Sequence, residues 1–115
     1  MRSLAVLEGG RLASGSHDMT IKIWDVARSA CVATLKGHGG FVFSLAVLEG
    51  VRLASGSGDN TIKIWDVATS ACVATLEGHG NFACCLAVLE GGRLASGSGD
   101  TTIKIWDPAV SNVLR

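Results

Sequence analysis

The most constraining feature of this sequence is a segment of 41 residues that occurs almost three times. Residues 11–51 and 52–92 align without a gap and differ at nine of the 41 positions. The same spacing separates the most recognisable residues of successive copies, which are Leu4, Leu45 and Leu86, Arg11, Arg52 and Arg93, and Trp24, Trp65 and Trp106. A fixed period of this length is typical of folds in which equivalent units stack on one another. Copies this similar indicate recent duplication or design.

Each copy divides into four short apolar segments separated by turns. In the second copy the predicted strands are residues 41–48, 52–57, 61–66 and 71–76, with a tight turn at 58–60. Strands of about six residues with turn signals every 8–12 residues favour an all-β fold. The chain has 15 glycines and one proline, which agrees with short strands joined by tight turns.

The third strand of each copy is apolar on both faces. Because side chains alternate along a strand, Ile62 and Ile64 share one face and Trp65 points from the other. We therefore expect every sheet to be covered on both sides by neighbouring sheets, as in radially stacked units.

The dipeptide Gly-His followed by LASGSGDNTIKIWD resembles the WD repeat of β-propeller proteins, and the period of 41 lies within that repeat's 40–45 residues. The resemblance covers nearly the whole chain. It implies four-stranded antiparallel blades around a central channel, with the first strand nearest the axis and the fourth outermost. We expect one partial propeller domain, residues 1–115, with blades at about 1–36, 37–77 and 78–115. The last strand departs from the repeat after Asp107.

The resemblance also implies a hydrogen-bonded tetrad in each blade. Its Asp accepts from the imidazole of His, the imidazole accepts from Ser, and the Ser oxygen accepts from the indole N–H of Trp. By motif position the tetrads are His38, Ser55, Asp59 and Trp65 in the second blade, His79, Ser96, Asp100 and Trp106 in the third, and the partial set Ser14, Asp18 and Trp24 in the first. We interpret them as structural rather than hydrolytic, because the set recurs in every blade and Trp holds the serine.

The family tends to bind partners on one rim of the channel, just after Gly-His and just before the turn aspartate. At these positions the candidate rim residues are Arg2, His17, Phe41, Phe43, Phe82 and Cys84, with Gly58 and Gly99 at the turns of the second and third blades. An exposed phenylalanine is an effective anchor for a partner. Phenylalanine is also a common core residue, and for these three a structural role is the favoured interpretation.

Composition argues against several functions. Ten basic and ten acidic residues give a formal net charge of zero, so no nucleic-acid surface is expected. No apolar run approaches the roughly 20 residues of a membrane span, and the first residues lack signal-peptide features, which favours a cytoplasmic protein. No cysteine or histidine spacing indicates a metal or cofactor. We interpret the four cysteines as core thiols, with the adjacent pair on opposite strand faces; they are Cys31, Cys72, Cys84 and Cys85.

Two non-catalytic functions remain. One is a protein-interaction scaffold, and the other is a self-assembling structural module, designed or amplified, without a dedicated ligand. Three blades are fewer than the 4–8 blades of a typical propeller and form an open arc. We therefore expect copies of the chain to close a ring. A homodimer would have six blades and a homotrimer nine, and we favour the trimer.

Overall fold

A computed structural model describes residues 4–16, 18–48, 52–107 and 112–113 of the chain. Within these residues, twelve β-strands form three antiparallel sheets of four strands, each in chain order. The first sheet contains β1 (Leu4–Leu7), β2 (Arg11–Gly15), β3 (Ile21–Asp25) and β4 (Ala30–Leu35). The middle sheet contains β5 (Val42–Val47), β6 (Arg52–Ser57), β7 (Ile62–Asp66) and β8 (Ala71–Leu76). The third contains β9 (Ala83–Val88), β10 (Leu94–Ser98), β11 (Ile103–Asp107) and β12 (Asn112–Val113), with a short 3-10 turn at Glu90–Gly92.

This architecture confirms the predicted all-β fold of four-stranded blades. The bounds of β6 and β8 are those predicted, whereas β5 and β7 are shorter because the flanking residues bond elsewhere. Thr61 donates its N–H and its hydroxyl to the carboxylate of Asp59, at 2.9 and 2.6 Å. The carbonyl of Phe41 accepts the N–H of Gly58 at 2.8 Å. The third sheet has its fourth strand, although β12 is only two residues long.

The first strands of the middle and third sheets carry the same β-bulge. The extra residue is Phe43 in β5 and its equivalent, Cys84, in β9. A bulge interrupts the alternation of side chains along a strand. The prediction that Cys84 and Cys85 point to opposite faces is therefore wrong, and their Sγ atoms lie 3.3 Å apart.

Two apolar cores lie between the sheets, one on each side of the middle sheet. Ile62 and Ile64 of β7 pack against the third sheet, in the core that contains Trp106. Trp65 of the same strand packs against the first sheet. All of these side chains are buried. The middle sheet is thus covered on both faces, as its sequence predicts.

The two outer sheets each leave one apolar face uncovered. Every residue of these faces is equivalent, one period along the chain, to a residue that packs in a core of the middle sheet. The open face of the first sheet, called the leading face, consists of Leu4, Val6, Leu12, Trp24 and Val26. The open face of the third sheet, called the trailing face, consists of Ala87, Leu89, Ala95, Ile103 and Ile105.

Candidate functional site

A chain of hydrogen bonds runs through the middle sheet from a turn into the core. His38, which precedes β5, places Nδ1 2.9 Å from a carboxylate oxygen of Asp59 in the β6–β7 turn. Its Nε2 lies 2.6 Å from Oγ of Ser55 in β6, and the indole N–H of Trp65 in β7 donates to the same Oγ at 2.8 Å. Because an ionised carboxylate only accepts, Nδ1–H donates to Asp59 and Nε2 accepts the hydroxyl proton of Ser55. Both ring nitrogens and the hydroxyl therefore have partners inside the blade.

The third sheet repeats this geometry with the equivalent residues. Nδ1 of His79 lies 3.1 Å from Asp100, Nε2 lies 2.7 Å from Oγ of Ser96, and the indole N–H of Trp106 donates to that oxygen at 2.7 Å. A hydrogen bond from Thr102 is the main reason why the pKa of Asp100 lies well below its ordinary value.

The first sheet holds only part of the same arrangement. The indole N–H of Trp24 donates to Oγ of Ser14 at 2.9 Å. Asp18 caps its turn by accepting the N–H and the hydroxyl of Thr20, and these hydrogen bonds lower the pKa of Asp18. In the part of the first sheet that the structure describes, no histidine links Asp18 to Ser14.

Asp59 connects the turn of the middle sheet to the segment that precedes β5. One carboxylate oxygen accepts from Thr61, and the other accepts the N–H of Gly39 at 2.8 Å together with His38. Burial alone would raise the pKa of Asp59, but the hydrogen bonds from Thr61, Gly39 and His38 outweigh it and hold the pKa well below its ordinary value. The carboxylate therefore stays ionised and ties the two segments together.

The imidazole of His38 is a neutral member of this chain. Burial lowers the pKa of His38 below its ordinary value of 6.5, and the nearby Asp59 only partly offsets the effect. The neutral ring has one donor and one acceptor, which are the two roles that its neighbours require. The hydroxyl of Ser55 lies between the imidazole and the indole and is fully buried. This geometry holds the serine proton in place and offers no open side to a substrate.

Three of the predicted rim residues come together in the structure. The rings of Phe41 and Phe43 lie 6.4 Å apart edge to face, and those of Phe43 and Phe82 lie 5.5 Å apart. Phe41 is 46% exposed and Phe82 is 38% exposed. Of the remaining rim candidates, Cys84 is the half-buried residue at the bulge equivalent to Phe43. Arg2 and His17 lie outside the described residues.

The turn glycines leave space for these rings. A side chain at Gly58 would meet the ring of Phe43 at 3.3 Å, and one at Gly99 would meet the ring of Phe82 at 2.8 Å. The two glycines thus allow the phenylalanine rings to lie over the turns.

The predicted burial of the cysteines is wrong. Cys31, Cys72 and Cys85 are exposed and Cys84 is half-buried. Cys31 and Cys72 lie on the edge strands β4 and β8, beside a bulge in the pairing with the preceding strand. An edge strand has a neighbour on one side only, so small apolar side chains on it remain accessible. The one signal for the exposure of Cys31 and Cys72 was the family resemblance, which implies that the fourth strand of each blade is outermost.

Sequence reasoning also did not name the residues of the leading and trailing faces. It predicted only that three blades form an open arc that further copies of the chain would close. The signal was present, because each of these residues repeats one that packs in a core of the middle sheet. An open apolar hollow of about 200 Å³ lies on the trailing face, and its lining includes Cys85, Ala95, Gly97 and Ile103.

Among the described residues, no group of three or more His, Cys, Asp or Glu side chains is arranged to hold a metal ion. Within the same residues, no helix has the length and apolar character needed to cross a membrane.

Comparison with known proteins agrees with this geometry. Over 38 residues the chain is 47% identical to the nuclear distribution protein PAC1 of Gibberella zeae and 45% identical to that of Fusarium vanettenii, and each match spans 33% of this chain and 8% of the relative. The crystal structure of the computationally designed Ika8 protein is similar with a TM-score of 0.87 and 33% identity, over 98% of this chain and 35% of that one. The chain thus spans a minor part of each of these proteins. The family described as WD domain, G-beta repeat matches residues 2–25, 29–66 and 70–107, and the chain therefore belongs to that family.

Proposed function

We propose that this chain is a non-catalytic binding scaffold whose first partner is another copy of itself, bound head to tail. One observation carries the proposal. The three sheets meet in two interfaces made of equivalent residues, and the two open faces are the two halves of a third. A surface that fits the next sheet inside the chain has the shape and the apolar character to fit the same sheet in a second copy.

The match is closest on the third strands. In the interface between the middle and third sheets, Ile62 and Ile64 pack into the core that contains Trp106. On the trailing face the corresponding residue Ile103 is 74% exposed, whereas Ile62 is 0% exposed. On the leading face the residue that corresponds to Trp106 is Trp24. Covering Ile103 with this face removes apolar surface from water. This stabilises the contact by about 25 cal/mol for each Å² of apolar surface that is buried.

The first strands show how closely the sheets approach. A side chain at Gly56 would lie 2.8 Å from the carbonyl oxygen of Ala83, so the third sheet packs directly onto this glycine. The equivalent Gly97 lines the hollow on the trailing face, and a side chain there would meet only Cys85, at 3.7 Å. The hollow therefore corresponds to the place where the first strand of a following sheet docks.

A head-to-tail contact is heterologous, because it joins two different faces of the chain. Copies joined in this way form a closed ring only if the rotations between blades complete a full turn. Two copies give a ring of six blades, which lies within the typical 4–8, and three give nine. We propose a closed ring of two or three copies, because an open series would leave an apolar face uncovered at each end.

We also propose that the chain has no catalytic activity. Ser55 and Ser96 are buried, and each hydroxyl is engaged by both an imidazole and an indole. A nucleophile must reach its substrate and have an oxyanion site beside it. A panel of ester, phosphoester and glycoside substrates should show no turnover that Ser55→Ala or Ser96→Ala removes, and turnover lost in either variant would contradict this part.

A cytoplasmic location is also proposed, since all four cysteines are free.

A pair of variants tests the head-to-tail contact. Val6→Asp blocks the leading face and leaves the trailing face intact, and Ile103→Asp does the reverse. Both side chains are exposed in the single chain, so neither change disturbs the fold. Each variant alone should be a monomer, and an equimolar mixture should form a heterodimer of six blades by light scattering. Val73→Asp, on the exposed edge of β8, is the matched control and should assemble like the parent.

The mixing result separates this contact from other modes of association. A dimer that joins two leading faces or two trailing faces would persist in one variant alone and would not need the mixture. Either outcome, or a mixture that stays monomeric while the parent assembles, would contradict head-to-tail binding.

A second binding function is favoured by the phenylalanine cluster. Phe41, Phe43 and Phe82 form a partly exposed aromatic surface next to the turns, on the rim that the family tends to use. We propose that this surface binds apolar segments of other proteins. Displayed random peptides selected on the parent chain should lose binding to a Phe41→Ala/Phe82→Ala variant and keep it on Val73→Asp. Peptides that bind all three equally would contradict the assignment.

A further inference from the structure

The two adjacent cysteines of β9 lie on the trailing face in an unusual arrangement. Cys84 is the extra residue of the bulge, and its Sγ lies 3.3 Å from that of Cys85. Cys85 is exposed and lines the open hollow, whereas Cys84 is half-buried and also approaches the carbonyl of Gly97. The bulge thus holds two thiols side by side at the surface that the proposed assembly would cover.

The middle sheet shows what occupies this position in a formed interface. The residue equivalent to Cys85 is Ser44, and its Oγ accepts the N–H of Leu86 from the following sheet at 3.1 Å. The residue equivalent to Leu86 in the first sheet is Leu4, on the leading face. When a second copy docks, Cys85 therefore lies against the first strand of the arriving sheet and is shielded from solvent.

We propose that Cys84 and Cys85 are a thiol-oxidation site at which formation of a disulfide between them releases the second copy from the trailing face. This inference rests on the proposed head-to-tail assembly. The oxidant is a hydroperoxide, and the site reacts while the trailing face is open.

The reaction proceeds in two balanced steps. The Cys85 thiol first ionises, and its thiolate sulfur attacks the hydroperoxide. The O–O bond breaks, Cys85 becomes a sulfenic acid, and the hydroxide or alkoxide takes up the proton lost by the thiol and leaves as water or an alcohol. The sulfur of Cys84 then attacks the sulfenic sulfur, the S–O bond breaks, and the hydroxyl leaves as water with the proton of Cys84. The hydrogen bond with Cys85, together with burial, raises the pKa of the Cys84 thiol, which assigns the first attack to the more exposed Cys85.

Oxidation must change the docking surface because the reduced geometry cannot accommodate the bond. The two sulfurs have to move from 3.3 Å to about 2.0 Å apart. Adjacent Cα atoms are about 3.8 Å apart across a trans peptide, closer than the roughly 4.4–6.8 Å of ordinary disulfides, so the backbone of the bulge has to shift. The bulge sets the position of Cys85 against the docking strand. A strained disulfide is also easily reduced, which makes the release reversible.

The test uses a Cys31→Ser/Cys72→Ser background, so that the two exposed cysteines of β4 and β8 cannot cross-link. The protein is treated with hydrogen peroxide and then with dithiothreitol, and each sample is followed by light scattering and by intact mass. The reduced protein should assemble. The oxidised protein should lose two hydrogen atoms in mass and fall to the molar mass of a single chain, and reduction should restore the assembly.

Cys85→Ser in the same background is the matched control, because serine is the residue at this position of the middle sheet. This variant should assemble and should not respond to peroxide. Oxidation that adds oxygen without forming the disulfide, or a disulfide that leaves the molar mass unchanged, would overturn the inference. If the reduced protein is itself monomeric, the proposed assembly fails, and intact mass still decides whether the disulfide forms.

Discussion

The middle sheet and the outer sheets have nearly the same sequence and very different surroundings. Ile62 and Trp65 of the middle sheet are buried, whereas Ile103 of the third is exposed and Trp24 of the first is only half-buried. Because the side chains are the same, the difference lies in whether a neighbouring sheet is present. In a stacked fold the burial of a residue therefore depends on the adjacent unit, and the end units carry the uncovered apolar faces.

The largest contrast should appear at the tryptophans. Trp65→Ala removes a fully buried ring and leaves the Ser55 hydroxyl without its indole donor, so it should lower the free energy of unfolding by about 3–5 kcal/mol. Trp24→Ala removes a half-buried ring and should cost clearly less. Denaturant unfolding in the monomeric Ile103→Asp background measures both. Equal losses would mean that the neighbouring sheet contributes little to stability.

A smaller contrast is expected at the turn aspartates. Asp59 accepts hydrogen bonds from Thr61, Gly39 and His38. Asp59→Ala would leave the buried imidazole without its acceptor and should lower the free energy of unfolding by about 1–3 kcal/mol. Asp18 bonds only its own turn among the described residues, so Asp18→Ala should cost less. The same unfolding measurement checks the pair. If Asp59→Ala unfolds like the parent, the carboxylate does not support the imidazole.

The smallest effect is a dependence of stability on pH, whose upper range belongs to the imidazole of the middle-sheet tetrad. In the folded chain the pKa of His38 lies below its ordinary value of 6.5, and that of Asp59 lies below its ordinary value of 3.8. The unfolded chain therefore binds more protons in both ranges, and stability should fall as the pH decreases below about 6.5 and again below about 3.8. Denaturant midpoints measured from about pH 7.5 to about pH 3, a range that spans the ordinary pKa values of His and Asp, should show both decreases in stability.

His38→Gln is the control for the upper range. It removes the imidazole that has to remain neutral, so the loss of stability between about pH 6.5 and 5 should be smaller than in the parent. An identical slope in the variant would show that another group is responsible.

Much of the fold could be predicted because the repeat supplies the same local signals three times. The bounds of β6 and β8 followed from the turn residues on either side, and the two buried faces of the middle sheet followed from the alternation of Ile62, Ile64 and Trp65. The tetrad residues could be placed by motif position, and the structure brings His38, Ser55 and their partners within hydrogen-bond distance.

The errors arose where regular pairing fails or where a neighbour is missing. Alternation along β9 predicted opposite faces for Cys84 and Cys85, but the bulge places their sulfurs together. The small apolar character of Cys31 and Cys72 predicted burial, but both lie on edge strands. Neither a bulge nor the uncovered side of an edge strand is encoded in the apolar pattern of a single strand.

The molar mass of the parent chain in solution tests the central claim most directly. Size-exclusion chromatography with light scattering, under reducing conditions, should give one sharp species of two or three times the 11.8 kDa of a single chain. The same mass should persist on dilution until the chain dissociates in one step, as expected for a closed ring. A stable, folded monomer of 11.8 kDa would contradict the claim that the leading and trailing faces bind each other.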